Sequence, residues 1–310
     1  MDNQEKDLLA RVRELSHKRK TPFTPERFQT DVVDSDGVPI RLWIVETGHG
    51  RPTVVFMPGT NAYALLYGEF LLALADRGFN VVGFDPRGHG ISGGRPGDYT
   101  IPELVSDMDT AVSYARGRFP GPVAVAGSSQ GGITAFYYAA GHAPDAAVCH
   151  NLADLADPAS VSLTRHPRLS RIFSPLAPRL ARYAPGWKIP LSLYLDLTVE
   201  PLRGLGTVRD AMLEDPFIAS FITARAMASL ASEPLPVPVE KIRTPILVLH
   251  GAGDSIFPRD YVEGIYRRLT CKKALCMYED LPHYLLMDHV ERIVPDVAKW
   301  LNKILGKTKG

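Results

Sequence analysis

The chain has 310 residues, of which 45% are hydrophobic and 22% are charged, and its formal net charge is +1. A chain of this length can form one large α/β domain or two smaller ones, and it can bury a substantial core. The nearly balanced charge argues against a nucleic-acid-binding protein, because it provides no strong positive field. The cysteines are Cys149, Cys271 and Cys276. Their odd number and their spacing argue against a disulfide framework and against a cysteine-bound metal.

Residues 1–27 are predicted to form an N-terminal extension. Leu8, Val12 and Leu15 have helical spacing, and Thr21-Pro22 interrupts the pattern, so we expect a short peripheral helix. The first seven residues carry charges and no apolar stretch follows them, which argues against a secretory signal. No apolar run approaches the roughly 18 residues that cross a bilayer. The sequence therefore predicts a cytoplasmic protein without stable membrane insertion.

From residue 28 the hydrophobic pattern is typical of an α/β fold. Two strands are predicted at 28–35 and 40–46. Short apolar strands at 54–57, 81–84, 123–126 and 146–150 then alternate with helices at 64–77, 101–118 and 133–140. Strands without polar alternation, separated by helices, indicate a mostly parallel central sheet that helices cover on both faces. The alternation resumes at residue 245 and includes a last strand at 274–278. Residues 28–150 and 241–310 are therefore predicted to form one core domain.

Residues 151–240 interrupt the alternation and are predicted to form a mainly helical cap. The segment is rich in proline, arginine, leucine and aromatic residues, and its longest predicted helix covers 215–232. Loops at the carboxyl ends of parallel strands commonly carry the functional site, so we expect the insertion to cover that site. A purely structural insertion is the alternative. The apolar and aromatic residues of the cap predict a hydrophobic acyl or aromatic substrate; they are Ile172, Phe173, Trp187, Tyr194, Phe217 and Phe221.

Ser129 is the candidate nucleophile. It lies in the sequence Gly-Ser-Ser-Gln-Gly at 127–131, between a predicted strand and a predicted helix. The two flanking glycines allow the sharp strand–turn–helix connection that presents such a serine at the rim of a sheet. A serine hydroxyl attacks only when a base removes its proton and a third group orients that base. Asp254 follows the strand at 245–250 and His283 follows the last strand, so they are the predicted acid and base.

Two backbone N–H groups are predicted to bind the oxyanion of the tetrahedral intermediate. Gln130 follows the nucleophile and lies at the N-terminus of a predicted helix. The second donor is expected in the loop Pro-Gly-Thr-Asn at 58–61. Proline has no N–H group and Gly59 forms the turn, so Thr60 is the predicted donor. No metal ion or cofactor is predicted, because this chemistry does not require one.

Other residues near these motifs are alternatives for the same roles. Ser128 occupies the variable position of the serine motif. His250 falls at the end of its strand and His289 falls in the final predicted helix, which favours structural roles for both. Asp154 and Asp157 follow the strand at 146–150 and remain alternative sources of the acid.

Residues 84–94, with the sequence Phe-Asp-Pro-Arg-Gly-His-Gly-Ile-Ser-Gly-Gly, resemble a loop of the α/β-hydrolase superfamily. The resemblance is to its monoacylglycerol lipase and lysophospholipase-like branch, and it extends over 50–150 and 240–305 through the serine motif and Gly-Ala-Gly-Asp at 251–254. It implies the α/β-hydrolase fold and an architectural role for His89. It also implies the triad Ser129, Asp254 and His283 and the oxyanion hole Thr60 and Gln130. Pro58 departs from the family, which has a histidine before the glycine of this loop.

The sequence therefore predicts a serine hydrolase that cleaves carboxylic esters of hydrophobic acyl or aromatic groups through an acyl-enzyme on Ser129. Its expected partner is a small-molecule ester, and no nucleic acid is expected. Acyl transfer, thioester cleavage and amide cleavage use the same triad and remain alternatives. A ligand-binding protein with an inactive hydrolase fold is the non-enzyme alternative.

Overall fold

The first half of the chain alternates strands and helices, as its hydrophobic pattern predicts. The computed structural model describes residues 2–21, 23–173 and 176–306. Its first elements are α1 (Asn3–Arg19), β1 (Gln29–Ser35), β2 (Val38–Val45), β3 (Thr53–Met57), α2 (Gly68–Asp76), β4 (Asn80–Asp85), α3 (Ile101–Arg118), β5 (Val123–Ser128), α4 (Gln130–His142) and β6 (Ala146–His150). Thr100 and Glu103 form a capping box that fixes the start of α3.

The segment predicted to be a cap consists of short elements. They are α5 (Pro167–Phe173), α6 (Ala177–Tyr183), β7 (Lys188–Pro190), α7 (Leu191–Tyr194), β8 (Pro201–Leu202), β9 (Gly206–Thr207), α8 (Val208–Glu214), β10 (Phe221–Thr223) and α9 (Ala224–Ser232). Strand β7 pairs with β10, and β8 pairs with β9 in a small hairpin. The predicted helix at 215–232 is therefore wrong over its first half. Pro216 follows Asp215 and disfavours a helical conformation there, and Thr223 caps the helix that begins at residue 224.

The last part of the chain returns to strand and helix alternation. Its elements are β11 (Ile246–Gly251), α10 (Arg259–Arg268), β12 (Lys273–Tyr278), α11 (Leu285–Asp288) and α12 (Val290–Leu305). His289 lies between α11 and α12 rather than inside one continuous helix. Within the described ranges, no helix is both long enough and apolar enough to cross a bilayer.

Eight strands form the central sheet in the order β1-β2-β4-β3-β5-β6-β11-β12. Strands β1 and β2 pair antiparallel, as do β2 and β4, and the remaining pairs are parallel. Every residue of β3, β4, β5, β6 and β11 is buried, which explains why these strands are apolar except near their ends. Helix α3 packs against α4, and α2 packs against α12. Parallel strands end at one edge of the sheet, so the residues after β3, β5, β6, β11 and β12 meet there.

Helix α1 is not peripheral, contrary to the expectation for the N-terminal extension. Leu8 and Leu15 are buried in the main core or at its border. Arg11 donates from Nε to Asp215 at 3.3 Å. Arg19 is buried and pairs with Asp288 at 2.9 Å. The helix thus contacts both the 151–240 segment and the C-terminal part of the core, through polar contacts that its own periodicity does not reveal.

Candidate active site

Ser129 occupies the sharp turn between β5 and α4. Its backbone has φ 54° and ψ −117°, a conformation that costs a non-glycine residue about 1–3 kcal/mol. The surrounding hydrogen bonds maintain it, because Ser129 N donates to His150 O at 3.0 Å and Ile133 N donates to Ser129 O at 2.9 Å. A Cβ at Gly127 would overlap the backbone of Gly131. Only glycine fits there, and the tight turn leaves the Ser129 side chain half-exposed.

Asp254 lies in the turn after β11 and accepts four hydrogen bonds. Its Oδ1 accepts from the backbone N–H groups of Ile256 and Phe257, both at 2.8 Å. Its Oδ2 accepts from His283 Nδ1 at 2.8 Å and from Asn151 Nδ2 at 2.8 Å. Burial opposes ionisation of this carboxyl, but the charge and hydrogen bond of His283 and the N–H group of Phe257 outweigh it. They hold the pKa of Asp254 well below its usual range.

His283 follows β12 and is held in one tautomer by Asp254. Since the carboxylate only accepts, His283 donates its Nδ1 proton and leaves Nε2 unprotonated in the neutral ring. Phe257 stacks on the imidazole with ring centres 5.6 Å apart, and Tyr284 meets it edge-on at 5.0 Å. Burial lowers the pKa of His283, but the charge and hydrogen bond of Asp254, together with the charge of Glu200, raise it above the usual value.

Ser129 and His283 line the same cavity of about 90 Å³. The cavity is mainly aliphatic, and five leucines of the 151–240 segment contribute to its wall: Leu191, Leu195, Leu197, Leu202 and Leu205. Among the described residues there is no hydrogen bond between the Ser129 hydroxyl and the His283 ring. Contacts of this kind are often long in ligand-free enzymes and shorten when substrate binds.

The described lining of this cavity does not include the aromatic residues from which the hydrophobic substrate was predicted. Trp187 is 62% exposed, and Tyr194 lines a separate cavity of about 440 Å³ that includes neither Ser129 nor His283. Phe217 packs edge-on against Tyr63 with ring centres 6.2 Å apart, and Phe221 lies under the Lys188 ammonium group. The side chains of Ile172 and Phe173 lie outside the described part of the structure. None of these four described aromatic residues therefore lines the cavity that contains Ser129.

The predicted oxyanion loop lies beside the nucleophile. A Cβ at Gly59 would come within 3.5 Å of Ser129 Cβ, and Thr60 lines the same cavity as Ser129. Gln130 is the first residue of α4, where backbone N–H groups have no intrahelical acceptor. In the part of the chain that is described, neither Thr60 N nor Gln130 N donates to another group. Both N–H groups are therefore available to an oxyanion.

The alternative nucleophile and bases have other contacts. Ser128 is buried, with its Oγ 3.0 Å from His150 Nδ1. His250 donates from Nδ1 to Asn151 Oδ1 at 2.6 Å, and burial lowers its pKa. His89 is buried against Tyr99, and burial lowers its pKa to about 4. These imidazoles stay neutral within the core and do not face the cavity that contains Ser129.

The alternative acids are also engaged elsewhere. Asp157 accepts from the backbone N–H of Ala159 at 2.9 Å, in the turn that begins there. The backbone of Asp154 forms hydrogen bonds with the Tyr261 hydroxyl. Neither carboxylate contacts His283 in the described structure, whereas Asp254 does.

Three residues of the site were not predicted from the sequence. Asn151 follows β6 and connects His250 to Asp254 through its side-chain amide. Asn61 is the last residue of the oxyanion loop, and its side chain donates to the carbonyl groups of Ala219 and Phe221 at 2.6 and 2.8 Å. Glu200 accepts from the backbone of His283. A position directly after a buried strand could have indicated Asn151, but no local pattern marks Glu200.

His150, Asp254 and His283 place potential metal-ligand atoms within 4.8 Å of one another. Both oxygens of Asp254, however, already accept two N–H groups each. His283 Nδ1 carries the proton that it donates to this carboxylate. The donor set therefore fits a hydrogen-bonded acid–base pair better than a metal site.

Comparison with known proteins gives matches across most of the chain. The family model described as serine aminopeptidase, S33, matches residues 48–290. A monoacylglycerol lipase of Mycolicibacterium smegmatis is 27% identical over 268 residues, which cover 84% of this chain and 91% of that protein. The uncharacterized protein YqkD of Bacillus subtilis is 28% identical over 240 residues, covering 76% of this chain and 66% of that protein. The crystal structure of the Paleococcus ferrophilus monoacylglycerol lipase matches with a TM-score of 0.68 at 24% identity, covering 84% of this chain and 98% of that chain.

Proposed function

Because the chain belongs to the serine aminopeptidase S33 family of α/β-hydrolases, we propose that it is a serine carboxylesterase (EC 3.1.1 class) with Ser129, Asp254 and His283 as its triad. One observation carries the proposal. The hydrogen bond from His283 to Asp254 leaves Nε2 as the proton acceptor, and His283 shares a mainly aliphatic cavity with Ser129. An acid-oriented imidazole beside a serine in a strained turn has the elements that acyl transfer to serine requires.

In the proposed mechanism, Ser129 Oγ attacks the ester carbonyl while His283 Nε2 takes the hydroxyl proton. Asp254 keeps the ring in orientation and stabilises the imidazolium that forms. The N–H groups of Thr60 and Gln130 donate to the oxyanion. His283 then protonates the leaving alkoxide. In the second half of the reaction, His283 takes a proton from a water molecule as the water oxygen attacks the acyl carbonyl. The protonated His283 then returns a proton to Ser129 Oγ as the acid product leaves.

The cavity volume supports a short aliphatic acyl group over a long or aromatic one. A cavity of 150 Å³ accommodates benzene, so about 90 Å³ has room for roughly three to four carbon atoms. We expect the highest kcat/KM for propionyl to pentanoyl p-nitrophenyl esters, and lower values for decanoyl and benzoyl esters. The measurement is a p-nitrophenyl ester series from acetyl to dodecanoyl, with a fluorophosphonate probe to identify the labelled residue.

A cavity-lining variant and a matched control test this selectivity. Leu205 lines the cavity with Ser129, so Leu205→Ala should shift the optimum to acyl groups one to three carbons longer. Leu180 lines the other cavity, and Leu180→Ala should leave the optimum unchanged. If no ester of the series reacts, or if the probe labels a residue other than Ser129, the proposed function is contradicted. An optimum at dodecanoyl in the wild type would contradict only the size argument.

The pH dependence of the reaction should reflect the raised pKa of His283. The base accepts a proton only when it is neutral, so activity is present above its pKa and is lost as the pH falls through it. Because the pKa is raised from the ordinary value of 6.5, the acid limb of the kcat/KM profile should lie above pH 6.5. A profile of kcat/KM from about pH 5 to pH 9 measures it. A midpoint below 6.5 would contradict this expectation and would show that burial outweighs the charges of Asp254 and Glu200 at this imidazole.

A further inference from the structure

Glu200 bridges the two loops that carry the acid and the base of the triad. It lies in the 151–240 segment, directly before β8, and its side chain is only 6% exposed. Its Oε1 accepts from the backbone N–H of Ser255 at 2.8 Å, and its Oε2 accepts from the backbone N–H of His283 at 2.7 Å. One carboxylate thus contacts the residue after Asp254 and the backbone of the base itself.

The hairpin that follows Glu200 is fixed to the helix that follows His283. Arg203 N donates to Asp288 Oδ2 at 3.0 Å, and the Arg203 guanidinium contacts the Asp288 carbonyl. Asp288 in turn pairs with the buried Arg19 of α1 at 2.9 Å. A Cβ at Gly204 would overlap the Lys18 carbonyl, so the turn of the hairpin lies directly against α1. These contacts fix the hairpin, and with it the preceding Glu200, next to the loops that carry Asp254 and His283.

We infer that Glu200 is a positioning residue that keeps Asp254 and His283 in the geometry needed for proton transfer. The inference rests on the proposed function, because it assumes that His283 is the base. It also implies that the 151–240 segment positions the acid and the base of the triad and does more than enclose substrate. Glu200 is absent from the lining of the cavity that contains Ser129, so its loss should lower kcat and leave KM nearly unchanged.

The charge of Glu200 also acts on the base. The titratable groups around His283 are Asp254, Glu200, His150, Tyr284 and His250. Asp254 and Glu200 are the two anions that raise the pKa of His283, and burial opposes them. Removal of the Glu200 charge should therefore lower the pKa of His283 and move the acid limb of the pH profile to lower pH.

The test compares Glu200→Gln, Glu200→Ala and Glu200→Asp with a control. Glutamine keeps the shape but loses the charge and one acceptor oxygen, and alanine loses both acceptors. A displacement of about 1 Å at a catalytic group costs up to about 100-fold in rate, so we expect kcat to fall about 10- to 100-fold in Glu200→Gln and Glu200→Ala. KM for p-nitrophenyl butyrate should change less than about twofold, and the acid limb should move to lower pH. Glu200→Asp keeps the charge, so its acid limb should match that of the wild type although its kcat falls. Glu214→Gln is the control, because that cap carboxylate is exposed.

Active-site titration with the fluorophosphonate probe counts the reactive sites, so that kcat can be given per site. Circular dichroism shows whether each variant is folded. Unchanged kcat per site together with an unchanged acid limb in Glu200→Gln would overturn the inference. Equal shifts of the limb in Glu200→Asp and Glu200→Gln would also overturn it, since only one of them loses the charge. An inactive, unlabelled wild type would instead refute the proposed function, so the two failures are distinguishable.

Discussion

Ser129→Ala is expected to lower kcat/KM for p-nitrophenyl butyrate by about 10⁴-fold or more. In the proposed mechanism the hydroxyl oxygen of Ser129 bonds to the acyl carbon, and alanine has no atom that can take its place. The proposed oxyanion donors and the cavity remain in the variant, so weak residual catalysis and unchanged substrate binding are expected. The variant should also lose fluorophosphonate labelling. Its melting temperature should stay the same or rise, because alanine does not add to the strain of the turn. Steady-state kinetics measure the rate, intact-protein mass spectrometry measures the labelling, and thermal unfolding measures the melting temperature.

Ser128→Ala is the matched control for this substitution. Ser128 is the adjacent serine, is buried, and contacts His150 rather than the cavity. Loss of that single hydrogen bond should change kcat/KM by less than about tenfold. Wild-type activity in Ser129→Ala, or a larger loss in Ser128→Ala than in Ser129→Ala, would show that the nucleophile has been assigned to the wrong residue.

Asp254→Asn is expected to lower kcat by about 10⁴-fold, with little change in KM. An amide nitrogen at the position of Oδ2 would donate to His283 Nδ1 and move the ring proton to Nε2. The imidazole would then present a proton to Ser129 instead of a lone pair. Asn151 Nδ2 would lose its acceptor at the same time, so a modest loss of thermal stability should accompany the loss of rate. Ester hydrolysis and thermal unfolding of the same preparation measure the two effects.

The control for the acid is Asp154→Asn, since Asp154 also follows a strand of the sheet and is the alternative that the sequence leaves open. Its carboxylate does not contact His283 in the described structure, so kcat should remain within about threefold of the wild type. If Asp154→Asn were the more damaging variant, the acid would have to come from the loop after β6. The contacts of Asp254 with four donors would then have a structural role alone.

Two carboxylates contact His283, and they act on different quantities. Asp254 sets the tautomer and raises the pKa of the ring through direct contact. Glu200 accepts a hydrogen bond from the backbone N–H of the same residue. Substitution of the first should change the proton position, whereas substitution of the second should change loop geometry and the pKa. Measurement of both variants across pH separates these roles.

The sequence by itself determined the α/β-hydrolase fold, which the structure and the family match confirm. Uninterrupted apolar strands report burial on both faces of a parallel sheet. The candidate serine, acid, base and oxyanion donors each lie in the loop or turn after a strand or at the start of the helix that follows it, so a strand prediction already assigns them to one edge of the sheet. Their catalytic roles remain predictions. The structure brings Asp254 and His283 into contact and places Ser129 and Thr60 around the same cavity.

Only the tertiary structure decided which residues surround that edge. The predicted helix at 215–232 is interrupted because β10 pairs with β7, a long-range contact that local periodicity does not report. Helix α1 supplies Leu15 to the cavity, although its sequence resembles that of a peripheral helix. Glu200 reaches His283 across 83 positions of the chain. Periods of 2 and 3.6 residues show which side of an element is buried, but not which distant element covers it. For that reason the sequence identified the candidate triad, and the fold identified what holds it in place.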